Sequence, residues 1–216
     1  ISRCAEEDMN ISLPPQDLRI WLFHSLRASS AVMIHSGAVV DVDKLEAYLG
    51  NYSALLKYFM PDITLGMKDV TAYSTIYSET CHELAHASHF TKVGTGYWNK
   101  YIRYILESYI KTGGQMYGDG NSEYAGYCEV GECWAYYLES MMYKERYGGS
   151  IPTFGTGYWF YPQVFRYLDE RGVSRSDIFS VLGENVMSMD AVRTVLTETF
   201  PEKRTIIDQV FERYVN

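Results

Sequence analysis

The stretch SETCHELAHASHF, residues 78–90, constrains this chain more than any other. Wound as an α-helix at about 100° per residue, it sets His82 and His86 roughly 40° apart on one face. Glu83 falls about 100° from His82, on the flank of that face. Leu84 and Ala85 supply an apolar side, so the helix is expected to be buried. A buried helix with two imidazoles on one face must give them partners, because an unsatisfied buried polar group costs on the order of 1–3 kcal/mol. Neighbouring side chains can satisfy them within a plain core, or a cation can.

The cation is the more specific reading. Two neutral nitrogens at this spacing hold a divalent metal, whose Lewis acidity brings the pKa of a water toward about 7, and the adjacent carboxylate is left free to take the proton. His82 and His86 are therefore candidate zinc ligands, and Glu83 is the candidate general base. A third ligand is required. A histidine six residues after His86 would be the compact solution, but Lys92 stands there. The other solution is a glutamate on a later helix, and EVGECWAYYLES, residues 129–140, offers Glu129 and Glu132 one turn apart. His89, roughly 20° from His82 around the helix, points toward the same region. As a fourth ligand it would close the position that catalysis leaves open, so it is expected beside the ligands or in plain packing. Cys128 and Cys133, a rival metal pair, lie about 140° apart on a helix and face away from each other.

HELAH followed by GECWAYY resembles the gluzincin group of zinc metallopeptidases and secreted bacterial zincin-like proteins, over residues 62–145. The resemblance implies a zincin-like domain binding Zn²⁺ through His82, His86 and Glu132, with Glu129 as the alternative third ligand and Glu83 as the base. It also implies a peptide or protein substrate laid along an edge strand, for which DITLGM (62–67) is the candidate, and an exported protein. Thermolysin-like members carry an Asp one turn beyond the ligand glutamate to hold a ligand histidine; here that place is Tyr136. The tyrosine or histidine that steadies the oxyanion is open, with 20 tyrosines in the chain and Tyr158 and Tyr161 in GTGYWFYP as candidates. The missing Asp supports an alternative, a zincin-like protein that binds protein or glycan partners without cleaving them.

The remainder of the chain frames these motifs. Hydrophobic residues at 47% and charged residues at 21% are a globular balance, and a net charge of −8 with no basic stripe argues against nucleic acid. No apolar run approaches the roughly 18 residues of a membrane-spanning helix. The chain opens on Ile1, as a processed or trimmed product would, so no targeting segment is expected within it. Four cysteines are too few for a disulfide scaffold and are expected as small buried side chains.

The patterning predicts one α+β, predominantly helical domain over 1–216. A small N-terminal sheet and the HELAH helix form a lobe over about 1–121; the glutamate helix and a helical C-terminal lobe fill 122–216. Strand is expected through 29–42 and 62–67, and helices over 44–59 (capped by Asp43), from Ser74 or Thr75 through HELAH, over 97–111 and over 129–147. Shorter helices follow Pro162. The phrase GTGYW occurs at 94–98 and again at 155–159; it is expected to open helices with aromatic anchors, without a chemical role.

Overall fold

A computed structural model describes residues 10–38 and 60–214. Cys4 and the helix expected over 44–59 lie outside the described residues. Among the described residues the protein is predominantly helical with one small sheet, in line with the expected α+β class.

Strands β1 (Ile20–Phe23), β2 (Ser30–Ala31) and β3 (Ile63–Gly66) lie in the order β1-β3-β2. β1 runs parallel to β3, with Ile20 opposite Ile63, and β2 runs antiparallel to it, with Ser30 opposite Thr64. DITLGM is therefore the central strand and not the edge, and Ile63, Leu65 and Gly66 are buried. Gly66 shows why it can be central. A Cβ there would sit 2.7 Å from the Ala28 carbonyl oxygen, so only glycine lets the 27–28 backbone cross so closely.

Of the strand expected over 29–42, residues 39–42 lie outside the described residues, and within 29–38 it is two residues long. The buried Asp62 carboxylate accepts from the backbone N–H of Ser36 at 2.7 Å and of Arg19 at 3.1 Å. This side chain takes donors that a longer ladder would have used and turns the chain at 34–37. The Ser29 hydroxyl, donating to Glu79 at 2.8 Å and accepting from Gly66 N–H, ties the start of β2 to the first helix.

That helix, α1 (Tyr73–Thr112), carries HELAH. Its N-cap is Ala72 in extended conformation with no side-chain cap, so neither Ser74 nor Thr75 opens it. The break expected near Gly94 and Gly96 is present as a kink within one element, with φ 74° and ψ 177° at Gly94. Nothing lies within 4 Å of a Cβ built at Gly94, so backbone conformation alone requires glycine there. Gly113 closes α1 in the left-handed region, donating its N–H to the Tyr109 carbonyl.

α2 (Ala125–Tyr147) begins four residues ahead of the glutamate motif and packs against α1. It is followed by α3 (Gln163–Glu170), α4 (Arg175–Val181), α5 (Met189–Thr199), a 3₁₀ turn at Pro201–Lys203 and α6 (Arg204–Tyr214). Ser174 and Asp177 form a reciprocal capping box at α4, and the Ser188 hydroxyl caps α5. No helix among the described residues is long and apolar enough to cross a membrane.

α2 separates two hydrophobic clusters. On one side Cys133, Trp134 and Leu138 pack with Phe165, Leu168 and Phe179, with the Trp134 and Phe179 rings 5.0 Å apart. On the other, Cys128 and Tyr127 pack with Trp98, Tyr104 and the sheet residues Ile63 and Leu65. Burial on both sides fixes the rotation of α2, and with it the direction in which Glu132 points.

Candidate metal centre

His82 and His86, on the first half of α1, meet Glu132 from α2 in a buried group. The His82 and His86 Nε2 atoms are 3.1 Å apart. Each is 3.5 Å from one Glu132 carboxylate oxygen: His82 Nε2 from Oε2, and His86 Nε2 from Oε1. Donors bound at about 2.1 Å in a tetrahedron lie about 3.4 Å from one another. The separations, which involve both Glu132 oxygens, lie close to that spacing, and one donor atom from each residue falls within 4.8 Å of the others. Glu132 Oε2 is buried without a hydrogen-bond partner, as expected of a carboxylate oxygen that awaits a positive ion.

The protonation pattern agrees. Burial alone would lower the His82 imidazole, but hydrogen bonds to Glu132 and Glu139, with Glu83 close by, carry it well above its ordinary value. His86 moves the other way, lowered by burial that the Glu132 charge only partly opposes. Burial would raise Glu132, yet His86 and His82 hold it well below the usual carboxylate range. A proton kept by His82 between carboxylates marks a place where the fold favours positive charge. The residues present therefore fit a divalent cation.

Glu129, the alternative third ligand, is elsewhere: its carboxylate accepts from the Met189 N–H at 3.3 Å. Cys128 and Cys133 are buried free thiols in different clusters, so they do not form a metal pair. His89 is fully buried with its ring edge-on to Tyr97 and Trp98, at 5.3 and 6.2 Å between centroids, which makes it a packing residue and not part of the cavity wall. Trp98, brought across by the kink at Gly94, also packs against His86 at 5.7 Å and so stands against both rings.

Three residues near the centre are not among those expected from the sequence. Glu139 Oε2 lies 3.1 Å from His82 Nδ1, in the role that Tyr136 cannot fill. A carboxylate only accepts, so Nδ1 carries the proton and Nε2 is left to face the ion. Seven residues on a helix return to within about 20° of the start, so the E-x6-E spacing of Glu132 and Glu139 was the available signal. Tyr136 instead packs its ring against His82, at 4.4 Å. Tyr101, on α1 beyond the kink, donates its hydroxyl to Glu132 Oε1 at 2.5 Å. Tyr117 comes from the loop between α1 and α2. Its carbonyl accepts from the Tyr104 hydroxyl at 2.6 Å and from Trp159 Nε1–H at 2.7 Å, which pins the backbone that presents the ring.

The first GTGYW opens the second helical segment of α1 at the kink, as expected, while the second lies in a loop and supplies the tryptophan that holds Tyr117. Tyr158 and Tyr161 are about half exposed, at 48% and 49%. Tyr158 packs edge-on against Tyr117, with ring centroids 4.6 Å apart.

A cavity of about 220 Å³ opens onto the centre. Its described walls include His82, Glu83, His86 and Glu132 on one side and β2 on another, and the tyrosines that reach it are Tyr101 and Tyr117. Glu83, flanking the histidines, is pushed up to about 8 by burial, with His82 opposing and Glu132 and Glu139 adding to the rise. No protein-family model, curated protein or solved structure matches the chain.

Proposed function

We propose that this chain is a zinc-dependent peptidase of the zincin-like, gluzincin type, acting on an exported side of the cell. The observation that carries the reading is the convergence of His82, His86 and Glu132 at tetrahedral donor spacing, with the Glu83 carboxyl beside them in an open cavity. Held by those three side chains, Zn²⁺ would lower the pKa of a water toward about 7 and polarise a substrate carbonyl.

The chain's own groups divide the remaining work. Burial alone leaves Glu83 holding its proton near neutral pH; a cation on the three ligands would oppose that rise, and the ionised carboxylate would take the proton of the attacking water through Oε2, which has no other partner, and return it to the leaving amine. Glu139 and Tyr101 hold His82 and Glu132 in orientation, so neither ligand must reorganise during the reaction. The oxyanion needs a neutral donor in the cavity. Among the described residues of the cavity wall the Tyr101 hydroxyl is engaged by Glu132, which leaves Tyr117. Burial and the Glu132 charge raise the Tyr117 phenol well above its usual value, so it stays protonated, and its hydroxyl makes only a long 3.4 Å contact with Tyr136. β2, the sheet edge among the described residues that lines the cavity, takes the part that DITLGM was expected to play along the substrate backbone.

A non-cleaving binding protein was supported by the missing Asp, and Glu139 removes that support. Glu83→Gln tests the proposal: zinc content is expected to be unchanged while cleavage of a peptide library falls at least about 100-fold. Turnover retained in that variant would refute Glu83 as the base.

A further inference from the structure

Glu132 brings two oxygens to the metal group, and the fold treats them differently. Oε1 accepts a hydrogen bond from the Tyr101 hydroxyl at 2.5 Å, the short distance of a bond to a charged acceptor. Oε2 is buried, takes no hydrogen bond and faces His82 Nε2 at 3.5 Å. Tyr101 is itself buried, and its ring is held between neighbours. The Trp98 centroid is 4.6 Å away and the His86 centroid 5.6 Å, so the hydroxyl is fixed on Oε1. Burial and the Glu132 charge raise the phenol well above its ordinary value, which keeps it a donor at neutral pH.

We infer that Tyr101 selects the metal: by occupying Oε1 it leaves Glu132 one oxygen, Oε2, for the ion, and so favours zinc over manganese, magnesium or calcium. This rests on the metal-binding part of the proposed function and not on hydrolysis. A carboxylate can bind a cation through one oxygen or both. Drawing Oε1 onto the ion would weaken the Tyr101 bond and strand a buried hydroxyl. Two imidazole nitrogens and one carboxylate oxygen, with a position left over, suit zinc. Manganese, magnesium and calcium favour six or more donors, chiefly oxygens. Among the described residues of the cavity wall, Glu83 is the one other carboxylate, so an oxygen-rich shell has few sources here. Tyr101 acts through Glu132, as a positioning residue. Without its hydroxyl Oε1 is free to join Oε2, and the preference against oxygen-seeking ions weakens.

Zinc and manganese affinities of the wild type, Tyr101→Phe and Tyr104→Phe, measured by chelator competition, test this. In Tyr101→Phe zinc is expected to bind about 10- to 100-fold more weakly while manganese binds no less tightly, so the zinc-to-manganese ratio falls at least about tenfold. Tyr104→Phe removes another buried hydroxyl of α1, one donated to the Tyr117 carbonyl, and is expected to leave the ratio as in the wild type. A parallel loss of both metals in Tyr101→Phe, or an equal fall of the ratio in Tyr104→Phe, overturns the inference. Cobalt in the wild type gives a reading that needs no variant. Its visible bands are expected to be the intense ones of a four-coordinate ion, and weak bands of a higher-coordinate ion would overturn the inference. The expected ratios without cleavage of any peptide would uphold it and remove the peptidase reading. Zinc-dependent cleavage with an unchanged ratio in Tyr101→Phe would do the reverse, and no metal bound by folded wild type removes both.

Discussion

Glu139 holds His82 from two helical turns beyond Glu132, with its carboxylate oxygen 3.1 Å from Nδ1. One helix thus supplies both a candidate ligand, Glu132, and the partner that orients a candidate ligand histidine. Removing such partners lowers metal affinity about 10- to 100-fold. Glu139→Ala is expected to do so in a chelator competition titration, with helix content by circular dichroism unchanged. Wild-type affinity in that variant would show that His82 needs no such support.

Tyr117 differs from the other tyrosines of the site in having its backbone fixed by Tyr104 and Trp159 and its hydroxyl not committed to Glu132. Tyr117→Phe is expected to lower kcat about 100- to 1000-fold, with zinc content and KM little changed. Tyr158→Phe and Tyr161→Phe, at half-exposed positions, are expected to stay within about threefold of wild type. A large kcat loss in Tyr158→Phe with none in Tyr117→Phe would move the role to Tyr158.

His89 provides a prediction for acid stability. Burial, together with the His86 and Lys92 charges, pushes its imidazole down to about 3, only weakly opposed by the Leu182 backbone. In the unfolded chain it titrates near 6.5. The unfolded state therefore binds a proton that the folded state refuses. Its contribution is fully present above about pH 6.5 and is lost progressively as pH falls toward 3. Between about pH 6 and 4, His89→Phe is expected to lower the pH dependence of unfolding free energy by up to ~1.4 kcal/mol per pH unit. Urea titrations across that range measure it, and identical slopes for the two proteins would contradict a neutral buried His89.

Gly94 connects backbone conformation to the centre. Its φ of 74° with ψ of 177° belongs to a region used almost only by glycine, and the bend there carries Trp98 and Tyr101 against His86 and Glu132. Gly94→Ala is expected to cost about 1–3 kcal/mol in urea unfolding and to weaken zinc binding as Tyr101 shifts. A neutral substitution would mean that the kink is not needed to place these rings.

The sequence made His82, Glu83 and His86 legible because the four-residue interval on a helix is a local rule that packing does not alter. Glu132 needed only a second helix rotated toward the first. Glu139 stands two turns beyond Glu132 on the same face, while the place one turn beyond, where a partner is expected, holds Tyr136. Tyr101 and Tyr117 could not be read locally: one reaches the centre by the kink at Gly94, the other by hydrogen bonds from Tyr104 and Trp159, residues distant in the chain. DITLGM illustrates a different gap. A short apolar run does not say whether a strand lies at an edge or in the middle, and here Gly66, where the backbone of 27–28 crosses, was the sign of a middle position.

The central claim is that three side chains from α1 and α2 hold one zinc ion. Anomalous diffraction from crystals of the zinc-loaded protein, recorded on both sides of the zinc edge, tests it directly. The account predicts one strong peak about 2.0–2.2 Å from His82 Nε2, His86 Nε2 and a Glu132 oxygen. A peak bound at another site, or none between the two helices in protein shown to be folded, would contradict it.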